Sequence, residues 1–283
     1  MKLKGRRSLL LILAILLVLT AAMFGACAKD GSEDTPAGEE PPVTEEPVVT
    51  GSVMIAAAAS LENALTEELI PLFNADFPDV AVTGTYDSSG KLQEQIEGGL
   101  DAAVFFSAAT KQMNALVEAG FIDASEVVNL LENEIVLIAS ANSDTKIASF
   151  EEIGDAASVA IGDPASVPAG QYAEEVLTSI GVWDAISAKA SLGTNVTEVL
   201  NWVAEGSAEV GIVYATDAAS MPDNVKVLAI APAESLQTPV IYPVATLKGV
   251  SDENKEAAAK FVEFLQSDAA MSVFEKYGFK AAA

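Results

Sequence analysis

Five short segments of this 283-residue chain share one chemistry. They are Ala58-Ala59-Ser60-Leu61, Tyr86-Asp87-Ser88-Ser89-Gly90, Val167-Pro168-Ala169-Gly170, Gly193-Thr194-Asn195-Val196 and Val213-Tyr214-Ala215-Thr216-Asp217. Each is small, carries hydroxyls or free backbone N–H groups, and falls where an apolar run gives way to a helical pattern. Lys91, just after the second, is the one basic residue at these junctions. Taken singly, each reads as a helix cap, a place that Ser and Asn routinely occupy. Several in one body also describe a cradle for an anion, because helix N-termini present unpaired N–H groups and a partial positive charge. Other chemistry is scarce. The chain has no histidine, which removes Ser-His-Asp and Cys-His catalysis and His-ligated metals. Cys27 is the sole cysteine, so no intrachain disulfide forms. Neither Ser60 nor Ser89 sits in a nucleophile elbow or a P-loop. A serine-dependent enzyme therefore stands only as an alternative, beside an anchored surface lipoprotein that senses or takes another oxyanion.

The elements that must hold these segments alternate. Apolar runs at Val53–Ala57, Val80–Gly84, Ala102–Phe106, Glu134–Ala139, Val159–Ile161, Val210–Tyr214, Val225–Ile230 and Val240–Leu247 predict strands. Helical stripes lie between most of them: Leu61, Leu65, Leu69, Leu72 and Phe73; Met113, Leu116 and Val117; Tyr172, Val176, Leu177 and Ile180; Val196, Val199, Leu200 and Val203. A long helical region is expected over roughly 252–277. This alternation predicts an α/β fold with mainly parallel sheets, whose ligands sit beyond the carboxyl ends of the strands. Trp183 and Trp202 read as core, Asp163 and Asp217 as turn or cap residues, and Lys91 as a solvated helix start.

The chain opens on an address. Lys2, Lys4, Arg6 and Arg7 precede an apolar stretch from Leu9 to Ala22, then Gly25, Ala26 and Cys27. Residues 1–27 predict a lipoprotein signal, with Cys27 lipidated and anchoring the chain on the outer face of the cell membrane; a plain cleaved signal or a spanning anchor is the other reading. Residues 28–50 hold seven acidic residues and four prolines, a composition that cannot build a core and predicts an extended tether. The net charge is −26. Removing the leader leaves 11 basic against 41 acidic residues, a net −30, which argues against nucleic acid as a partner.

Several motifs then occur in order: Ala57-Ala58-Ala59-Ser60-Leu61, Ser88-Ser89-Gly90, Gly162-Asp163-Pro164 with Val167-Pro168-Ala169-Gly170-Gln171-Tyr172-Ala173, Gly211-Ile212-Val213-Tyr214 and Tyr242-Pro243-Val244-Ala245. In this the chain resembles the molybdate-binding proteins of bacterial molybdate ABC import systems, within the periplasmic solute-binding class. The resemblance runs over nearly all of 51–283. It implies a two-lobed, type II periplasmic binding protein-like fold, with lobe one over 51–133 plus 239–283 and lobe two over 134–238. It also implies that molybdate or tungstate is held as ligand, with no cofactor and no directly ligated metal. The expected contacts are Ser60, Ser89, Ala169 through its N–H, Val196 through its N–H, and Tyr214. The implied partners are an ABC permease and its cytoplasmic ATPase, and the chain is expected to act as a monomer. Three positions depart from the family pattern: Ala103 and Ala109 stand where acidic residues are common, and Asp87 where a small residue is.

Overall fold

The computed structural model describes residues 48–283. The leader 1–27, Cys27 with it, and all but the last three residues of the 28–50 tether lie outside the described residues.

The strands build two sheets. The first has the order β11-β4-β10-β3-β1-β2, from β1 (Gly51–Ala58), β2 (Val80–Asp87), β3 (Val104–Phe106), β4 (Val128–Asn133), β10 (Val240–Thr246) and β11 (Lys280–Ala281). The second has the order β7-β6-β8-β5-β9, from β5 (Ile135–Ser140), β6 (Val159–Gly162), β7 (Ser191–Gly193), β8 (Val210–Tyr214) and β9 (Val225–Ile230). The chain passes from the first to the second at Glu134, between β4 and β5, and returns between β9 and β10.

The sheets are mixed, which corrects the expectation of mainly parallel ones. β1 is parallel to β2 and β3, and β6 to β7 and β8; β4, β5, β9, β10 and β11 all pair antiparallel. β4, β5, β9 and β10 flank the two passages between sheets, so no βαβ crossover sets their direction. The long helical region over 252–277 is two helices, Lys255–Leu265 and Asp268–Lys276. Ser267 starts the second by accepting the Ala270 N–H at 3.2 Å. β4, β7 and β11 are strands that the apolar runs did not announce.

Helices cover the sheets and bury β1 almost completely: Val53, Ile55, Ala56 and Ala57 have no exposed surface. Phe73 meets Phe261 edge-on at 5.1 Å between ring centroids, and Phe106 meets Phe274 at 6.0 Å. Fully buried phenylalanines contribute about 1.5–3 kcal/mol each. Ala103 and Ala109 are buried without a carboxylate. The Ala103 N–H donates to the Met54 carbonyl at 2.8 Å, while Ser107 Oγ donates to the Ala109 carbonyl at 2.7 Å. Ala109 is also the N-cap of helix Thr110–Glu118 and offers it no side-chain acceptor.

Candidate anion-binding site

Register brings the donor-rich junctions together. Ala58 lies beside Asp87 at the ends of β1 and β2, so Ser60 and the Ser88–Ser89 pair emerge side by side. In the second sheet Gly162 lies beside Gly193 and Ala160 beside Gly211. The carboxyl ends of β6, β7 and β8 therefore open in one direction.

All five predicted contact residues line one cavity. Ser60 is in the first turn after β1. Ser89 opens helix Ser89–Glu97, whose N-cap is Ser88. Ala169 follows Pro168 at the start of helix Pro168–Ser179, and Val196 opens Val196–Ala204 behind the Asn195 cap. Tyr214 is the N-cap of Ala215–Ser220. The space they enclose is small, about 200 Å³ free of atoms with its mouth included. Pockets for drug-sized ligands hold some 300–1,000 Å³, so this space excludes a ligand of that size. No lysine, arginine or metal-binding cluster lines it; among the described residues no group of three or more Cys, Asp or Glu could hold a cation.

Two of the three serine hydroxyls have a hydrogen-bonding neighbour. Ser89 Oγ accepts the Ala108 N–H at 3.0 Å. Ser60 Oγ lies 2.9 Å from the Tyr242 hydroxyl. Ser88 Oγ is buried with no hydrogen-bond partner among the described residues, a state that costs about 1–3 kcal/mol unless an acceptor arrives. The Tyr214 hydroxyl has a long 3.5 Å contact to the Ala108 carbonyl and also interacts with the Tyr242 hydroxyl. Burial holds the Tyr214 and Tyr242 phenols well above the ordinary tyrosine pKa, so both keep their protons to donate.

Asp87, the carboxylate in the lining, spends one oxygen on other partners. Its Oδ1 accepts the Ser88 N–H at 2.7 Å, Lys91 Nζ at 3.3 Å and Asn195 Nδ2 at 3.4 Å. The Asn195 bond and the Gly90 N–H to the Ser166 carbonyl at 2.9 Å both cross from one sheet's side of the cavity to the other's. Asp217 caps its helix: its Oδ2 accepts the Tyr214 N–H at 3.1 Å, and burial raises its pKa to about 7. Asp163 closes a turn through the Ala165 N–H at 3.0 Å. Trp183 and Trp202 pack half-buried against the core. Lys91 is paired with Asp87.

The model for bacterial extracellular solute-binding proteins matches residues 53–280. The chain belongs to that family. It is 39% identical over 230 residues to the Bacillus subtilis protein YvgL, provisionally named an ABC transporter substrate-binding lipoprotein, with 81% of this chain and 86% of that one covered. It is 38% identical over 234 residues to the molybdate-binding protein ModA of Haemophilus influenzae, covering 81% and 90%. The periplasmic molybdate-binding protein of Azotobacter vinelandii shares the fold, with a TM-score of 0.71, 21% identity and coverage of 82% and 100%. The type II periplasmic binding fold implied by the motifs is the fold of this chain. Its family places it among proteins that bind solutes outside the cytoplasm, and among the described residues no helix is long and apolar enough to cross a membrane.

Three residues of this region had no role in the sequence reading: Ser88, Tyr242 and Asn133. Ser88 stands in the Ser88-Ser89-Gly90 motif, and its pairing with Ser89 at a helix start is the available signal. Tyr242 opens the Tyr242-Pro243-Val244-Ala245 motif, and Asn133 closes a strand that the apolar pattern does not reveal.

Proposed function

We propose that this chain captures molybdate, and tungstate with it, between the ends of its two sheets and delivers the ion to an ABC permease driven by a cytoplasmic ATPase. One observation carries the reading: five strand-end donors, Ser60, Ser89, Ala169, Val196 and Tyr214, converge on a single small cavity with no cation in its lining. A buried dianion needs its oxygens filled with hydrogen bonds, and hydroxyls with helix-end N–H groups supply them without an arginine. Donors held at one radius select by size, so tungstate fits as molybdate does and the smaller sulfate is reached less well. The names of the Haemophilus and Azotobacter proteins support the same ligand. The acidic surface does not oppose this, since surface charge is screened over about 8 Å at physiological ionic strength whereas the donors act at contact.

In this reading 51–133 with 239–283 and 134–238 are two lobes that close on the ion, a monomer suffices, and no reaction is catalysed. Lipid on Cys27 tethers the body to the membrane, in keeping with the lipoprotein name of the Bacillus relative; mass spectrometry of the native N-terminus tests that step.

Calorimetric titration tests the whole. Sodium molybdate and sodium tungstate each bind one per chain, and sulfate binds far more weakly. Ser60→Ala and Tyr214→Phe each leave a charged oxygen short of a donor and weaken molybdate about 5- to 150-fold. Affinity untouched in both variants overturns the site, and no heat with any oxyanion overturns the function.

A further inference from the structure

We infer that Tyr242 and Asn133, which do not line the cavity, are positioning residues that aim the Ser60 proton at the bound anion. This role rests on the oxyanion reading above and on a chain of hydrogen bonds.

It starts at the passage between the sheets. The Glu134 N–H donates to Asn133 Oδ1 at 2.9 Å. That fixes the side-chain amide, since its oxygen must face Glu134 and its nitrogen the opposite way. Asn133 Nδ2 then spends its two hydrogens on Thr216 Oγ1 at 2.9 Å and on the Tyr242 hydroxyl oxygen at 3.2 Å. An amide nitrogen can only donate, so the Tyr242 oxygen accepts. Tyr242 is fully buried and keeps its phenolic proton, and Ser60 Oγ lies 2.9 Å from it. By geometry alone either hydroxyl of that pair could be the donor. Tyr242 can accept a second bond, so the direction is set by its own buried hydrogen, which needs an acceptor and has Ser60 Oγ at 2.9 Å; the phenol gives to Ser60. Ser60 Oγ thereby accepts one bond from Tyr242, and its own hydrogen is left for the cavity. Ser89 reaches the same state by a shorter route, through the Ala108 N–H.

The consequence is directional. Both serines have a hydrogen free for the cavity, which suits a fully deprotonated oxyanion better than a ligand that must itself donate a proton. A wall of this polarity discriminates molybdate from hydrogenphosphate by hydrogen-bond direction in addition to size.

A double-mutant cycle read by titration with sodium molybdate, with thermal midpoints recorded alongside, tests the relay. Tyr242→Phe keeps the ring, which packs edge-on against Tyr214 at 5.5 Å and Phe279 at 5.3 Å, and removes only the hydroxyl. It weakens molybdate about 5-fold or more, and in the Ser60→Ala background it costs nothing further. Asn133→Asp replaces the donor by a carboxylate. Tyr242 then turns its proton to residue 133, Ser60 turns its own to Tyr242, and the affinity loss exceeds that of Tyr242→Phe. Both variants also narrow the preference for molybdate over phosphate. Losses that add fully in the double variant, or wild-type affinity in Tyr242→Phe, overturn the relay. If Tyr242→Phe does not fold, Asn133→Asp in the two Ser60 backgrounds gives the same cycle. Failure of the wild-type chain to bind molybdate at all instead sinks the oxyanion reading.

Discussion

The two walls of the cavity are built differently. The side that follows β1 and β2 presents rotatable hydroxyls, Ser60, Ser88 and Ser89. The side that follows β6 and β7 presents N–H groups locked in the first turns of two helices, at Ala169 and Val196, and only Tyr214 after β8 adds a hydroxyl. Backbone donors sit where the helix puts them and stay when the side chain changes, so that wall sets the radius. Hydroxyls have a direction only if a neighbour gives them one. The first wall therefore depends on partners far away in sequence, as Ser60 depends on Tyr242, 182 positions on.

The seam between the walls is the most direct place to break this arrangement. A Cβ on Gly90 would stand 2.3 Å from the Ser166 carbonyl oxygen and 2.7 Å from its Cα, backbone atoms that cannot swing aside. Gly90→Ala thus forces the walls apart and spoils the Gly90–Ser166 bond. Titration should show molybdate affinity reduced by about 100-fold or more, equivalent to about 3 kcal/mol, because donors from only one side then reach the ion.

The second wall can be probed through Asp217, whose carboxyl holds the Tyr214 N–H. Its folded pKa, about 7, lies above its unfolded value of 3.8 because burial disfavours the charge. The folded chain therefore keeps a proton that the unfolded chain has released. The stability this contributes is complete below about pH 4 and is lost as pH rises toward 7, amounting to about 2 kcal/mol between pH 5 and pH 7. Urea unfolding across that range should show the slope, and Asp217→Asn should flatten it. A slope unchanged in the variant would assign the titration to another group.

The smallest effect belongs to the first wall. Helix Thr110–Glu118 begins just after Ala108, whose N–H holds Ser89, yet its N-cap is Ala109. Ala109→Ser supplies the missing acceptor and should raise stability by about 0.5–1 kcal/mol, seen as a higher thermal midpoint. An unchanged or lower midpoint would mean that the Ser107 turn leaves no room for it.

What could be read in advance follows the same division. Ser60, Ser89, Ala169, Val196 and Tyr214 were legible because strand-to-helix junctions leave local marks: a small residue, a hydroxyl, a proline or glycine just inside the helix. The parallel strands β1 and β6 were legible as apolar runs largely buried on both faces, and the edge strand β2 as the shorter run Val80–Gly84. β4 was not, since Asn129, Glu132 and Asn133 interrupt its pattern, and neither was β11, two exposed residues paired to β4. Strand direction at the two passages between sheets was also hidden, because apolar periodicity is the same for parallel and antiparallel neighbours. Ser88, Tyr242 and Asn133 escaped for a related reason. Their importance lies in what reaches them across the fold or, for Ser88, in what fails to.

The cavity has no cation in its lining, and this has a consequence for the electrical signature of cargo. An arginine-lined pocket would cancel part of the charge it takes up. In the proposed site every donor is neutral, so each molybdate ion that entered would add its full two negative charges to a body that is already strongly negative. Loaded and empty molecules should consequently separate by electrophoretic mobility, even though the passenger is only five atoms across its whole formula.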